Sequence, residues 1–307
     1  MTKKRCAFLT MDSTEGWSID AGLGIPPLQA RGWQVDWVPW RSASVEWSRF
    51  DAVYIGTPWD YPQDVQRFLR VLERIDASKA VLVNDIELVR WGVRKTYLRE
   101  LEARGAAIVP SLWGKRLSAG ELPSFFDTLG AERLVIKPVV STNATDTFLL
   151  ERNDVLEKTS HAERPLLEVF SQREFVVQPF IANIREEGEY SLFYLGGKYS
   201  HAIQKVPRRG DFRVQEEHGA SIIAVDPDSF LIDCADAILG LVEPLPVYAR
   251  CDLVRGSDGN LLLMELELIE PSMYLRMQRE APERFALEFD RYVSVVRGQA
   301  PGSRATS

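Results

Sequence analysis

An α/β fold that becomes α+β toward its C-terminal part is predicted by three patterns in this sequence. Over the first 90 residues, short β-prone runs alternate with helical spacing, which favours a parallel sheet layered with helices. A second set of extended runs, Arg133 to Ile136, Thr147 to Leu150 and Phe175 to Gln178, brackets a polar loop from Ser141 to Asp146. The last third carries two hairpin signals: Tyr190 to Tyr194 and Lys198 to Gln204 around Gly196-Gly197, then Tyr248 to Val254 and Leu261 to Leu268 around Gly256-Ser257-Asp258-Gly259.

The first layer comprises Arg5 to Leu9, a Gly/Pro-rich segment to Pro27, Gln34 to Val38, Asp51 to Gly56 and Ala80 to Asn84. Between the last two runs, Val65, Phe68, Leu69, Leu72 and Ile75 recur at helical spacing, with Pro62 suited to the first turn. Asn84 or Asp85 can cap a helix running to about Ala103 and stopping at Gly105, with Lys95 inside it, after which Ala107 to Val109 reads as a strand. Helices are also expected near Asp154 to Glu157, over Ser229 to Leu241 and over Ala281 to Val296, and Gly298 to Ser307 has the composition of a frayed tail.

Composition excludes several classes. The 307 residues are 45% hydrophobic, enough for real cores. A net charge of −7 and a pI near 5.3 argue against nucleic-acid binding, which needs clustered, unneutralised Lys and Arg. No apolar run approaches the roughly 20 residues that span a bilayer, and Lys3-Lys4-Arg5 leads into a run too short for a signal peptide; a cytoplasmic location is expected. Cys6, Cys234 and Cys251 are widely separated, so neither a disulfide framework nor a metal knuckle is indicated.

The chemistry concentrates in the second hairpin. If its loop is Gly256 to Gly259, Arg255 pairs with Asn260, Asp252 stands opposite Leu263, and Asp252, Glu265 and Glu267 share one face, leaving Leu262, Met264, Leu266 and Leu268 to face a core. A loop of five residues turns Asp252 away. Clustered carboxylates need positive charge among them, and hard oxygen donors suit Mg²⁺ shared with phosphate oxygens. The alternative is an ion pair, Arg250 with Glu265, and an exposed Glu267. Two lysines sit at strand ends, Lys137 and Lys205, and the loop Ser141-Thr142-Asn143-Ala144-Thr145 after the first supplies hydroxyl and amide donors for phosphate. Singly, each such lysine is more often a solvated surface residue.

Taken in order, the helix lysine Lys95, the strand-end Ile136-Lys137-Pro138 with its loop, Val176-Val177-Gln178-Pro179-Phe180-Ile181, Gly188-Glu189-Tyr190-Ser191, Lys205, Arg250-x-Asp252 and Glu265-x-Glu267 resemble the ATP-grasp superfamily. The likeness is to its carboxylate-amine ligase branch, related to D-alanine-D-alanine ligase and glutathione synthetase, and most to cycloserine-biosynthesis-type ATP-grasp proteins. It covers about Asn84 to Tyr274; the first 80 residues fit only as a preceding small parallel α/β domain. The division it implies is 1–94 for that domain, 95–185 for a central subdomain, 186–298 for a C-terminal subdomain bearing the metal hairpin, and 299–307 for the tail.

The resemblance implies ATP as cosubstrate with Mg²⁺, or Mn²⁺ in its place. Lys95, Lys137, Ser141, Thr142 and Lys205 would hold phosphates, Gln178, Phe180 and Ile181 the adenine, and Glu189 the ribose. Asp252, Glu265 and Glu267 match the acidic metal ligands, and Arg250 an arginine that steadies the anionic reacting centre. Two departures from the family pattern stand out: the phosphate loop lacks glycine, and Glu267 replaces a frequent asparagine. Arg213, in the second lid segment Pro207 to Arg213, is expected to meet a substrate carboxylate or phosphate; Ser272, Trp59 and Asp60 are further substrate candidates. His201 reads as an ordinary strand residue. The implied reaction is Mg²⁺-dependent joining of a small carboxylate and an amine through an acylphosphate. Competing readings are an intramolecular cyclase, a kinase, and a non-catalytic nucleotide sensor on the same scaffold. No nucleic acid or membrane partner is expected, and helices of the first domain are suited to pair in a homodimer.

Overall fold

The computed structural model describes residues 3–156 and 163–299. Strands β1 (Lys4–Thr10), β2 (Trp33–Pro39), β3 (Ala52–Thr57) and β4 (Val81–Val83) form a wholly parallel sheet in the order β2-β1-β3-β4. Period-2 alternation explains its buried position. Cys6, Phe8, Ala52 and Tyr54 face one core, while Ala7, Leu9, Val53 and Ile55 face another completed by Phe68, Leu72 and Ile75 of the helix Val65–Asp76. That helix is capped by Asp64, and Pro62 lies in the 3₁₀ turn Tyr61–Gln63 before it. The Gly/Pro-rich segment contains a short helix, Ile25–Ala30, with prolines in its first turn, where no N–H is missed.

A second sheet, β5 (Leu112–Gly114), β6 (Arg133–Pro138), β7 (Phe148–Glu151) and β8 (Phe175–Pro179), is antiparallel in the order β5-β8-β6-β7. Leu134, Ile136, Phe175 and Val177 face a core closed by the helices Leu122–Leu129 and Glu163–Phe170, and Val135 and Lys137 alternate to the opposite side. The predicted helix near Asp154 is Arg152–Leu156; its expected last residue, Glu157, lies outside the described residues.

The third sheet, β9 (Glu189–Leu195), β10 (Lys198–Val206), β11 (Ser221–Val225), β12 (Tyr248–Arg255) and β13 (Leu261–Glu267), runs β11-β10-β9-β12-β13, all antiparallel. One face packs Leu192, Tyr194, Ala249, Cys251 and Leu253 on the helix Ser229–Leu239. The other face changes character along its length. Phe193, Leu195, Ile203 and Tyr248 join the core shared with β1, β3 and the helix Ala281–Gln299, while Glu189, Ser191, Lys205, Arg250 and Asp252 continue the same alternation beyond it as a polar patch.

Four expectations need correction. The span from Asn84 to Ala103 is two helices, Ile86–Gly92 and Tyr97–Ala103; between them the backbone N–H of Lys95 donates to the Val139 carbonyl at 2.9 Å, so Lys95 lies in the break. Of the two caps the sequence allowed, Asp85 is the one used, and the Asn84 side chain instead binds Val247 N, Tyr248 O and Leu268 O. Ala107 to Val109 forms only a single bridge, Ile108 with Leu263. The tail from residue 300 lies outside the described residues, and the last helix extends through Gln299.

The hairpin β12-β13 is the fourth correction. Arg255 pairs with Leu261, so the connection is five residues long, the case expected to turn Asp252 away. A β-bulge between Asp252 and Leu253 on one strand, opposite Met264, shifts the register again, so that Asp252 pairs with Glu265 and Arg250 with Glu267. The same bulge keeps Leu266 and Leu268 toward the core as expected but puts Leu261 and Leu263 there in place of Leu262 and Met264, which lie on the other side beside Val109, Ile184 and Val214.

Candidate active site

A cavity lies between the second and third sheets, roofed by the N-terminal sheet's loops. Lys137, Lys95, Lys205 and Arg250 line it together with Glu189, Asp252, Glu265 and Glu267. Register explains the third sheet's contribution. Lys205 stands opposite Glu189, Ser191 opposite Asp252, and Arg250 opposite Glu267, and each cross-strand pair is bonded: Lys205 Nζ to Glu189 Oε1 at 2.5 Å, Ser191 Oγ to Asp252 Oδ1 at 2.5 Å, and Arg250 Nη2 to Glu267 Oε1 at 2.5 Å. Arg250 also grips Asp252 with Nε at 3.0 Å and Nη2 at 2.9 Å.

Across the cavity Lys137 reaches Glu265 at 2.8 Å and Lys95 approaches the same oxygen at 3.5 Å. Burial opposes the charge on Glu265, yet Lys137 and Lys95 hold its carboxyl well below the usual range. Burial likewise opposes Asp252, but Arg250 and Lys205 keep it ionised; Glu267 and Glu189 are pushed up by burial, against the pull of Arg250 and Lys205 respectively. The expected positive charge among the acids is therefore present as four cations, each already paired.

Asp252, at 3% exposure, is enclosed by Arg250, Lys205 and Ser191, whereas Glu265 and Glu267 open toward the cavity. Among the described residues no three His, Cys, Asp or Glu side chains converge closely enough to hold a metal ion. The expected trio thus shares a face without forming a closed coordination shell. Its donor chemistry still fits a hard divalent cation: two same-face carboxylates open to a cavity, backed by a third.

The glycine-free loop is held by several contacts. Lys95 Nζ donates to Ser141 O at 3.2 Å, Thr142 Oγ1 to Trp59 O at 2.7 Å, and Arg173 to Asp146 Oδ2 at 2.6 Å and Val140 O at 2.9 Å; a ring nitrogen of His218 lies 3.3 Å from Asn143 O. Asn143, Ala144 and Asp146 adopt φ of 49°, 53° and 54°, left-handed conformations usually given to glycine. Gln178, Phe180 and Ile181 line the far end of the cavity, where Gln178 donates to Ser111 Oγ and the Phe180 ring lies under Arg133 and Arg185.

The remaining candidates divide. Arg213 lines the cavity but is tied to Asp211 through Nη2 at 2.8 Å and Nε at 3.1 Å; Ser272 lines it too, and its carbonyl accepts from Arg250. Trp59 lies on the wall, its ring tilted 34° against that of Trp17. Asp60 is not among the lining residues: it accepts from Trp40 Nε1 at 2.6 Å and pairs with Arg41 at 3.0 Å, a structural acid of the first domain. His201 is buried against Phe193, and burial lowers it to about 4, in keeping with a plain strand position. Sequence reading passed over Glu270, 8% exposed on the cavity wall; the available signal was an acid set between Ile269 and Pro271 directly past the acidic strand.

Comparison with known proteins agrees with this architecture. Residues 6–84 match the family model described as the N-terminal domain of D-cycloserine synthetase DcsG. The chain is 30% identical over 292 residues to the cycloserine biosynthesis protein DcsG of Streptomyces lavendulae, spanning 89% of this chain and 95% of that protein. The crystal structure of D-cycloserine synthetase DcsG superposes with a TM-score of 0.82 at 27% identity, covering 94% of this chain and 99% of the other. The ATP-grasp ligase PsnB, solved with a minimal precursor, Mg and ADP, shares the fold at a TM-score of 0.62 and 15% identity, covering 94% and 98%. A chain this similar to DcsG along nearly its full length, with its lysines and acids facing one another across an ATP-grasp cavity, belongs to the DcsG family of ATP-grasp ligases.

Proposed function

We propose that this protein is an ATP- and Mg²⁺-dependent ligase that forms an amide bond by phosphorylating the carboxylate of a small amino-acid-like substrate and passing the acyl group to an amine. One observation carries the reading: a single sheet face aligns Lys205, Arg250, Asp252, Glu265 and Glu267 opposite Lys137, which stands on a different sheet across a cavity. Burying that many charges is costly unless a polyanion and its cation are to be handled there.

In this reading Ile181, Ile184, Val214 and Met264 offer an apolar slot for the adenine ring beside Gln178 and Phe180, and Glu189 meets the ribose. Lys95, Lys137, Lys205, Ser141 and Thr142 receive phosphate oxygens. As they do so, the lysines exchange carboxylate partners for phosphate, leaving Glu265 and Glu267, with Asp252 behind them, to hold Mg²⁺, which neutralises charge between the phosphates when bound. Mn²⁺, with the same oxygen preference, is expected to substitute. Arg250 is placed to steady the carboxylate as its oxygen attacks the terminal phosphorus and ADP leaves, and then the oxyanion as the amine nitrogen attacks the carbonyl carbon and phosphate departs. Arg213, Ser272 and Trp59 line the substrate end. The loop 141–146 excludes water from the acylphosphate. This allocation uses 1–94 for substrate selection, 95–185 as the nucleotide-covering part and 186–298 as the catalytic floor.

A second reading within the same chemistry is favoured by the DcsG match: the carboxylate and the nitrogen belong to one molecule, and the product is a ring. Opening the ring amide of cycloserine with water gives O-aminoserine, so that compound is the natural first trial. ADP release with one compound alone supports cyclisation, release only with pairs supports intermolecular ligation, and phosphorylated product without amide would indicate a kinase. Glu265→Gln and Lys137→Ala are each expected to lower ADP formation at least about 100-fold with the circular dichroism spectrum unchanged, as for loss of a transition-state charge contact; retained turnover in either variant would refute the assignment.

A further inference from the structure

Six carboxylates line the cavity, Glu189, Glu217, Asp252, Glu265, Glu267 and Glu270, together with five cations. Every cation is engaged: Lys95 and Lys137 on Glu265, Lys205 on Glu189 and Asp252, Arg250 on Asp252 and Glu267, and Arg213 on Asp211. Glu217 is exposed to solvent, so Glu270 is the buried acid left over. It is 8% exposed, among the described residues it takes part in no ion pair, and its own backbone N–H meets its carboxylate. An enclosed carboxylate without a direct ion-pair partner carries a desolvation cost, and burial, with Glu267 nearby, pushes its pKa up to about 8 against the pull of Lys95 and Arg250.

The surroundings of Glu270 fit one kind of visitor. Its own carbonyl accepts from Trp59 Nε1 at 2.9 Å, which fixes that indole on the cavity wall, and Trp17 lies against Trp59 with ring centroids 5.0 Å apart. A carboxylate beside aromatic faces recognises a compact organic cation, through charge on one side and ring quadrupole on the other. Trp59 is also the residue whose carbonyl accepts from Thr142, so this wall adjoins the loop that covers the phosphates.

Resting on the ligase reading, we propose that Glu270 is the specificity residue that binds the ammonium group of the substrate, so that the enzyme takes zwitterionic amino acids whose carboxylate points to Arg250 and whose ammonium points to Glu270 and the Trp17–Trp59 wall. The substrate's cation supplies the missing counter-charge. A des-amino analogue would leave Glu270 unpaired beside Glu267, and discrimination against it follows from that penalty.

The test measures ADP formation with Mg·ATP for the wild type and for Glu270→Gln and Glu270→Asp. The probes are O-aminoserine in both enantiomers and 3-(aminooxy)propanoate, which lacks only the 2-amino group; alanine and propanoate, each with a panel of small amines, form a second matched set. The wild type is expected to prefer the amino member of a pair by about 50-fold or more in kcat/KM, the scale of a buried charge partner. Glu270→Gln should erase the preference by raising KM for the amino compound, with KM for the des-amino compound and the affinity for Mg·ADP unchanged. Glu270→Asp should recover part of it. Equal losses on both members of a pair, a preference that survives in Glu270→Gln, or wild-type turnover of des-amino compounds as fast as amino ones would overturn the inference while leaving the ligase reading intact. A wild type that forms no ADP with any probe would overturn that reading, and this inference with it.

Discussion

At Glu265 two lysines from different parts of the chain meet one carboxylate, and the contact spans 128 residues of sequence in the case of Lys137. The residue types and the faces they occupy were legible, because alternation along a strand assigns faces without knowing the neighbours. Their partners were not legible, because pairing across sheets depends on how the sheets stack. For the same reason Asp60 looked like a ligand in a Trp-Asp-Tyr loop, whereas Arg41 and Trp40 claim it. Glu270 carries a prediction at this scale. Its folded-state pKa, about 8, lies above the unfolded value of roughly 4.3. Between those limits the folded protein holds the proton more tightly, so this group's stabilising contribution is fully present below about 4.3 and is lost as pH rises toward 8. Glu270→Gln removes that dependence. The melting temperature of the variant minus that of wild type should therefore increase from pH 5 to pH 8, as calorimetry at both pH values would check; a constant difference would contradict a buried, unpaired acid.

Elements were read well where a single periodicity ran uninterrupted and poorly where a tertiary bond broke it. All four strands of the parallel sheet were found to within two residues at each end, since each is bounded by turn residues and β1 and β3 are buried on both faces. The helix from Asn84 was read through Lys95 because nothing local marks the break; the bond from Lys95 N to Val139 O does so from a distance. Similarly, a hairpin whose loop is one residue longer than expected and whose strand bulges at Met264 cannot be told by counting from one with neither feature. The loop 141–146 tests the view that tertiary contacts replace glycine in shaping it. Three left-handed residues cost roughly 1–2 kcal/mol each unless their surroundings hold them, and Arg173 supplies two of the restraining bonds. Arg173→Ala is expected to raise KM for ATP several-fold and lower stability by about 1–3 kcal/mol. Steady-state kinetics and urea unfolding would show both; an unchanged KM would mean that the loop keeps its shape without this clamp.

Across the whole molecule, the hydrophobic cores do not respect the sequence division at residue 94. Cys6, Phe8 and Tyr54 of the parallel sheet share one core with Phe193, Tyr248, Phe285 and Phe289. A fragment ending at residue 94 would expose half of that core, and it is expected to show a poorly dispersed amide NMR spectrum, whereas Phe285→Ala in the full chain should cost about 3–5 kcal/mol and lower stability in a single cooperative transition by differential scanning calorimetry. This sharing was hidden in the sequence because the last helix, Ala281–Gln299, returns to the first strands only in three dimensions. The second sheet is different: among the described residues its core draws on those between Leu112 and Val177. Asn84 adds to the contrast, since one amide side chain fastens the end of β4 to both strands of the acidic hairpin. The floor of the cavity and the N-terminal layer are thus riveted into one jaw, and the part bearing Lys137 is the other. Any swing of that second jaw that admits nucleotide would have to break the Lys137–Glu265 pair and the bond from Thr142 to Trp59, the latches that join the two.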